Sequence, residues 1–321
     1  MLSSPVVEFE APIDGPLGTS GSRWARLRRL LGRHRAGVAG AAVLVFFAVL
    51  AIGAPWIAPF STTSASGGVF APPSLHHWLG TNDGGIDMVS LLIQGGRISM
   101  LVGFAAALVA SVPGATFGVL SGYFGGSVDA VLMRVTDFFI VVPVVPVMIV
   151  IAAVWGPSLL HLVIAIGILL WTSTARILRA QVKSLRQRTF VRRTVDLGAK
   201  HTRVLLRHIF PQVMPLLIAQ TVVTMALAIF YETALAFVGL GDPTAVSWGT
   251  IIEDAFLRTA ISVGAWWAIV PPGICVALVV IGAYLLGQSI EEELNPRLRI
   301  AHVSPRFWTL RPLVGRGPDA L

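Results

Sequence analysis

Six stretches of this sequence run for about the length of a bilayer-crossing helix, roughly 20 residues, with almost no charge. Ala36–Phe60, Ile98–Tyr123, Phe138–Trp155 and Ala260–Ile290 contain no Asp, Glu, Lys or Arg, although Pro143 and Pro146 interrupt the third. Leu159–Ala175 is shorter and begins beside His161, and Val213–Leu240 carries one charge, Glu232. Buried helices of a water-soluble core are shorter and alternate with amphipathic ones. Composition agrees with a bilayer as solvent: charged residues are 12% of the 321, against about 25% in soluble domains. Mean hydropathy is +0.78. The pattern predicts an all-α membrane protein with six transmembrane helices. Only Gly156, Pro157 and Ser158 separate the third and fourth, which calls for a tight hairpin.

The net charge of +8 would suggest nucleic acid in a soluble chain. Here its placement gives another account. With both termini cytoplasmic, every one of the 24 Lys and Arg except Arg97 and Arg258 falls on the cytoplasmic side, as the positive-inside bias requires. No nucleic-acid partner is therefore expected. The expected layout is a cytoplasmic tail over 1–35, a transmembrane domain over 36–290 and a cytoplasmic tail over 291–321. Within the domain lie outer loops 61–97 and 241–259 and a cytoplasmic loop over 176–215. The basic cluster of the first tail comes too late, and Ala36–Phe60 is too long, for a cleavable signal peptide.

Catalytic constellations are missing from the sequence. There is no phosphate-cradling Gly-x-x-x-x-Gly-Lys-Ser/Thr and no His-Glu-x-x-His. Cys275 stands alone, with no second thiol for a disulfide. His76 and His77 are adjacent and would point apart on a helix or strand; they read as loop residues, with contact to a substrate metal as the alternative. Glu291-Glu292-Glu293 reads as a solvated face. Asp129 and Asp137 flank Arg134 at a helix start and suit its dipole. Glu232 is costly inside a bilayer. It is read either as a pathway or gate residue, together with Phe237, or as a helix-interface hydrogen bond near the outer surface.

The loop from Arg176 to Pro215 is the most informative segment. Leu178, Val182, Leu185, Val191, Val195 and Leu197 recur at helical spacing, and Gly198 interrupts. A second short amphipathic stretch follows with Val204, Leu205, Leu206 and Ile209, ending at Phe210-Pro211. A glycine break between two short helices makes a compact knob, and an apolar stripe on it calls for a partner surface.

Its text, from Ser184-Leu185-Arg186 through Phe190-Val191 and Leu197-Gly198-Ala199 to Arg207-His208-Ile209-Phe210-Pro211, resembles the cytoplasmic signature of ABC importer permeases. The match is closest to the dipeptide/oligopeptide/nickel permease family. His77-Trp78-Leu79-Gly80-Thr81 is similar to the outer loop of that family's second, C-type permease. Gly95-x-Arg97-Ile98-Ser99, Ser121–Gly126 with Asp129, Glu232–Gly241, Ser247-Trp248-Gly249 and Leu294–Arg299 agree in order, so the resemblance runs from about Arg28 to Arg299.

The resemblance implies the type I ABC importer architecture. A second permease subunit would pair with this one as a heterodimer, and two ATPase subunits would dock beneath. An extracytoplasmic substrate-binding protein would deliver cargo. The knob would seat in an ATPase groove through Arg192, Arg193, Thr194, Val195, Asp196, Leu197, Gly198, Ala199, Val204, Leu205 and His208. No cofactor is expected on this chain; ATP and Mg would sit on the ATPase subunits. The family signature begins Glu-Ala-Ala, and here Arg192-Arg193-Thr194 stand in those places. Ile86 and Gln288 replace an Arg and an acid that are frequent there. The expected function is a non-catalytic permease subunit importing short peptides, with nickel or another chelated solute as the variant cargo. A stand-alone secondary transporter or channel is the alternative of another class; it would need coupling charges within the spans, where only Glu232 is available.

Overall fold

A computed structural model describes residues 35–294. The predicted tails and the Leu294–Arg299 match lie outside these residues, apart from Arg35 and Glu291–Leu294. The described residues form helices and loops with a single isolated bridge, Thr81 to Asp87. The elements are α1 Arg35–Ile57, α2 Met88–Phe124, α3 Gly126–Val141, α4 Val144–Trp155, α5 Leu159–Arg186, α6 Thr189–Asp196, α7 His201–Leu240, α8 Trp248–Leu257 and α9 Val270–Leu294. Among the described residues five helices are long and apolar enough to cross a membrane, and α3 with α4 makes a sixth span if the bent pair counts as one.

Four boundaries differ from the sequence reading, each for a local reason. First, α2 begins at Met88, ten residues ahead of the apolar run. Asp87 caps it, its Oδ2 accepting from Ser90 N at 2.9 Å and Ser90 Oγ at 3.0 Å. Second, α3 and α4 meet at an 83° bend. Pro143 cannot continue α3, and it forces Val142 into extended backbone. Third, Pro211 does not end the second amphipathic stretch. A widened π turn over Leu205–Ile209 lets α7 run through it, relieving the clash that a proline ring makes with the carbonyl four residues back. Fourth, residues 260–265 are turns, so the last span starts later than Ala260.

α2, 37 residues long, is the central column. α5 runs parallel to it at very close range, because Gly114, Gly118 and Gly122 recur every fourth residue along the shared seam. A Cβ on Gly118 would lie 2.6 Å from the Ala175 carbonyl oxygen and 2.9 Å from Leu178 Cβ. Such small-residue seams let helices pack in lipid, where no hydrophobic force drives association. α7 lies antiparallel on another face of α2, joined by Ser111 Oγ and Thr221 Oγ1 at 2.7 Å. α9 closes against α1, where Gly40 meets Gly282, and against α7, where Gly287 meets Val223. The bundle thus has one end carrying α6 and the basic residues, and an opposite end carrying the 58–87 segment and α8.

Candidate functional site

At the basic end α5 continues past its apolar stretch to Arg186, with Leu178, Val182 and Leu185 buried beneath it. Gln187 and Arg188 turn the chain into α6. α6 is amphipathic: Val191 is buried, while Arg192, Arg193, Val195 and Asp196 face out. Its C-terminus is closed by Gly198 at φ +81°, the left-handed position that glycine adopts without Cβ strain. Gly198 N donates to Val195 O at 2.9 Å and Ala199 N to Thr194 O at 3.3 Å. A Cβ at Gly198 would meet nothing within 4 Å, so backbone sign alone is what requires glycine there. Leu197, beside it, is 88% exposed.

The expected coupling residues therefore separate into two groups. Arg192, Arg193, Val195, Asp196, Leu197 and Gly198 are exposed, and of these Arg192, Val195 and Asp196 line a cleft against the end of α2; Thr194, Ala199, Leu205 and His208 are half-buried. Val204 is a correction. It is 0% exposed and packs with Val191, Ile209 and Leu178, so it holds the knob to the bundle and offers no surface. Spacing marks a stripe, but not which of its members face inward. Leu206, 70% exposed, takes the outward place.

The knob is braced by a charge cluster at the junction of α2, α3 and α5. Asp129, in the first turn of α3, receives Arg179 Nε at 2.5 Å on Oδ1 and Arg179 Nη2 at 2.7 Å on Oδ2. Lys183 Nζ lies 2.9 Å from Oδ2, and Ser121 Oγ donates to Oδ1. Bidentate guanidinium–carboxylate pairs fix orientation as well as distance. The helix-start reading of Asp129 holds, but its main partners come from 50 residues away. Asp137 is different: it sits near the far end of α3 and pairs with Arg176 at 2.7 Å, both half exposed. Two further contacts tie the region together, Tyr123 Oη with His201 Nδ1 at 2.9 Å and Arg186 Nη1 donating to Phe124 O at 3.2 Å.

At the opposite end Glu232 is 1% exposed. Its carboxylate accepts from Ser99 Oγ at 3.0 Å and Thr233 Oγ1 at 3.4 Å, and Ser99 Oγ in turn accepts from Trp248 N at 3.2 Å. This joins α2, α7 and the start of α8, which fits the helix-interface reading of Glu232 better than an open path. Phe237 sits in a second π turn, Ala236–Leu240, and meets Phe256 of α8 edge-on at 5.6 Å.

His76 and His77 do not point apart. They lie in a turn, and their rings meet edge to face at 5.4 Å. His77 is buried, with Nδ1 2.9 Å from Asp87 Oδ1 and Nε2 3.3 Å from Ser66 O, so both its nitrogens are engaged within the loop. Among the described residues no group of three or more His, Cys, Asp or Glu is arranged to hold a metal. A cavity of about 340 Å³ opens between this loop and α8, with Asp83, Asp242, Glu253 and Asp254 on its lining. Thr244's hydroxyl and backbone N–H hold Asp242 below the usual carboxylate range, whereas burial pushes Glu253 and Asp254 up. Asp83 comes from the segment before α2 and Asp242, Glu253 and Asp254 from the segment after α7, and the fold brings them to one cavity.

With this geometry in hand, comparison with known proteins is decisive. Residues 114–300 match the family described as binding-protein-dependent transport system inner membrane component. The chain belongs to this family. Residues 22–73 also match the N-terminal transmembrane domain of oligopeptide transport permease C. The dipeptide transport system permease protein DppC of Bacillus subtilis is 33% identical over 86% of this chain and 85% of its own length. The oligopeptide transport system permease protein OppC of Mycobacterium bovis is 34% identical over 85% of this chain and 94% of its length. OppC of Haemophilus influenzae is 30% identical over 87% and 90%. As an inner membrane component the chain is a multi-pass membrane permease. The family region begins at Gly114, so it takes in the glycine seam, the Asp129 cluster and the whole knob.

Proposed function

We propose that this chain is one of two permease subunits of an ATP-binding-cassette importer for short peptides. The end bearing α6 is cytoplasmic, in line with the positive-inside bias. There the knob seats in an ATPase subunit. ATP-driven closure of the two ATPases moves the knobs and switches the pair of permeases between two packings. An extracytoplasmic binding protein hands over cargo at the opposite end. The names of the relatives, dipeptide and oligopeptide permeases, support the cargo class.

The observation that carries this reading is the knob's construction. An 88%-exposed leucine on a fixed glycine turn, ringed by arginines, is a poor surface for water and a good one for a groove. Behind it, Asp129 and the glycine seam make α2 and α5 one body, so a push on Leu197 reaches the spans. The test uses Leu197→Asp and Gly198→Pro in the co-expressed complex. Both are expected to leave membrane insertion intact and to separate ATP hydrolysis from peptide uptake. Uptake at the unmodified rate in both variants, or purification without any ATPase subunit, defeats the proposal. Val204→Asp is not a clean test, because Val204 is buried within this chain.

A further inference from the structure

Between α6 and the last turn of α2 lies a cleft of about 800 Å³. Lys183 and Arg186 from α5 and Arg192 from α6 line it, with Gln187 and His201 beside them and Asp196 as the carboxylate on the lining. The three cations are not equally satisfied. Lys183 is held by Asp129 at 2.9 Å. Arg186 donates one N–H to the Phe124 carbonyl at 3.2 Å, leaving most of its fork free. Among the described residues no carboxylate forms an ion pair with Arg186 or Arg192. Asp196 is the one carboxylate among the described residues on the lining, so the two guanidinium groups leave the cleft with an excess of positive charge, which an anion between them offsets.

The depth of the cleft says which anion. Its far wall is Gly122, Tyr123 and Phe124, where the apolar surface of α2 ends. Phe124 on that wall remains exposed. An exposed aromatic at the end of an apolar helix, with the Arg186 guanidinium on its own carbonyl, marks the level where hydrocarbon gives way to headgroups. Guanidinium forks match phosphate oxygens two at a time, and basic pockets at this level between helices take phospholipid headgroups.

We infer that this cleft binds a phosphate group, through Arg186 and Arg192, and that its source is the headgroup of an anionic phospholipid. An occupant would bridge α5 to α6 and so brace the knob from the membrane side. The inference does not depend on the ATPase reading: it concerns this chain in lipid.

The experiment is native mass spectrometry of the full-length chain in neutral detergent. Phosphatidylglycerol is compared with phosphatidylcholine carrying the same tails. The unmodified chain is expected to retain phosphatidylglycerol preferentially. Arg186→Gln and Arg192→Gln should each lower that retention about fivefold, and Arg192→Glu should lower it further, with phosphatidylcholine unchanged. Arg203→Gln removes one charge from the same end outside the cleft and should change nothing. Both arginines are exposed, so folding is not at stake; labelling of Cys275 on heating reports any loss of fold. A parallel arm adds inorganic phosphate. If phosphate raises the unfolding temperature of the unmodified chain but not of Arg192→Gln, while phosphatidylglycerol is not retained, the anion site stands and its source is soluble phosphate. Equal losses in Arg192→Gln and Arg203→Gln, or no preference for either phosphate source, overturn the inference; the second result is the one expected if a partner's carboxylate fills the cleft.

Discussion

The segment at one end of the bundle, residues 58–87, turns its polar groups inward; the segment at the other, residues 187–200, turns them out. In the first, Thr81 Oγ1 accepts from Ala71 N at 2.8 Å and donates to Gly68 O, Asn82 Oδ1 accepts from Gly84 N and Ile86 N, and Trp267 Nε1 donates to Thr81 O at 3.0 Å. His77 and Asp87 are buried as a pair. In the second, Val191 is the buried side chain of α6, and arginines and Leu197 stand in solvent. The first joins α1 to α2, and the second joins α5 to α7. The contrast shows two ways of finishing a bundle: a self-satisfied collar, whose shape is fixed within the chain, and a knob whose shape is fixed but whose surface is left for something else.

Breaking the anchor of the knob should have the largest effect on stability. Asp129→Ala leaves Arg179 and Lys183 facing each other without their carboxylate. Asp129 is nearly buried, but Arg179 and Lys183 keep 31% and 45% of their side chains exposed, so the cost falls below that of a fully buried pair, at about 2–3 kcal/mol. Heating with a thiol dye that reads Cys275 measures it. A transition unchanged from the parent would mean the cluster contributes no bracing. Next comes the seam. Gly118→Ala pushes a methyl into the Ala175 carbonyl and Leu178, an overpacking cost of about 1–3 kcal/mol, and the same assay decides it.

The collar should respond through its hydrogen bonds. His77→Ala strands Asp87 on one side and is expected to cost about 1–3 kcal/mol, while leaving the knob's susceptibility to proteolysis unchanged. Knob cleavage rising with it would show that the two ends are not independent. Smaller again is Asp254→Asn beside the acidic cavity. Burial raises the Asp254 pKa in the fold, so its ionised form opposes folding. That contribution is favourable below the unfolded value and is lost as pH rises through the folded one. The neutral isostere should slightly raise stability near neutral pH and flatten the dependence on the acid side; a steeper dependence would contradict the assigned direction. On the knob, Leu197→Asp should move stability by less than about 0.5 kcal/mol, which sets its effect on coupling apart from unfolding.

Much of this was legible because hydropathy is local. The six apolar stretches, the Gly156–Ser158 hairpin and the Gly198 break each depend on residues next to one another in the chain; helices lie within every stretch, although the second, third and sixth differ in their ends or are bent. The start of α2 was hidden because Gln94, Gly95, Gly96 and Arg97 look like loop, and only the Asp87 cap reveals the earlier beginning. The Asp129 cluster and the acidic cavity were not legible, since their members meet only after folding. An Asp129 in view of Arg179 and Lys183, four apart on one helix face, was the signal to look for. The side of the knob stripe that faces a partner was also out of reach, because period fixes a face without saying what covers it.

The length of α2 has a mechanical consequence. At about 1.5 Å per residue its 37 residues make a rod of about 55 Å, longer than the roughly 30 Å hydrocarbon layer, so it projects at one or both faces. Glycine contacts at three successive positions clamp α5 alongside the half nearer α6, and Ser99 with Glu232 clamps α7 toward the other end. For a rod of that length, a pivot of about 5° near one end sweeps the other through about 5 Å, roughly the width of a peptide backbone. A short movement at one end of such a rod is enlarged at the other.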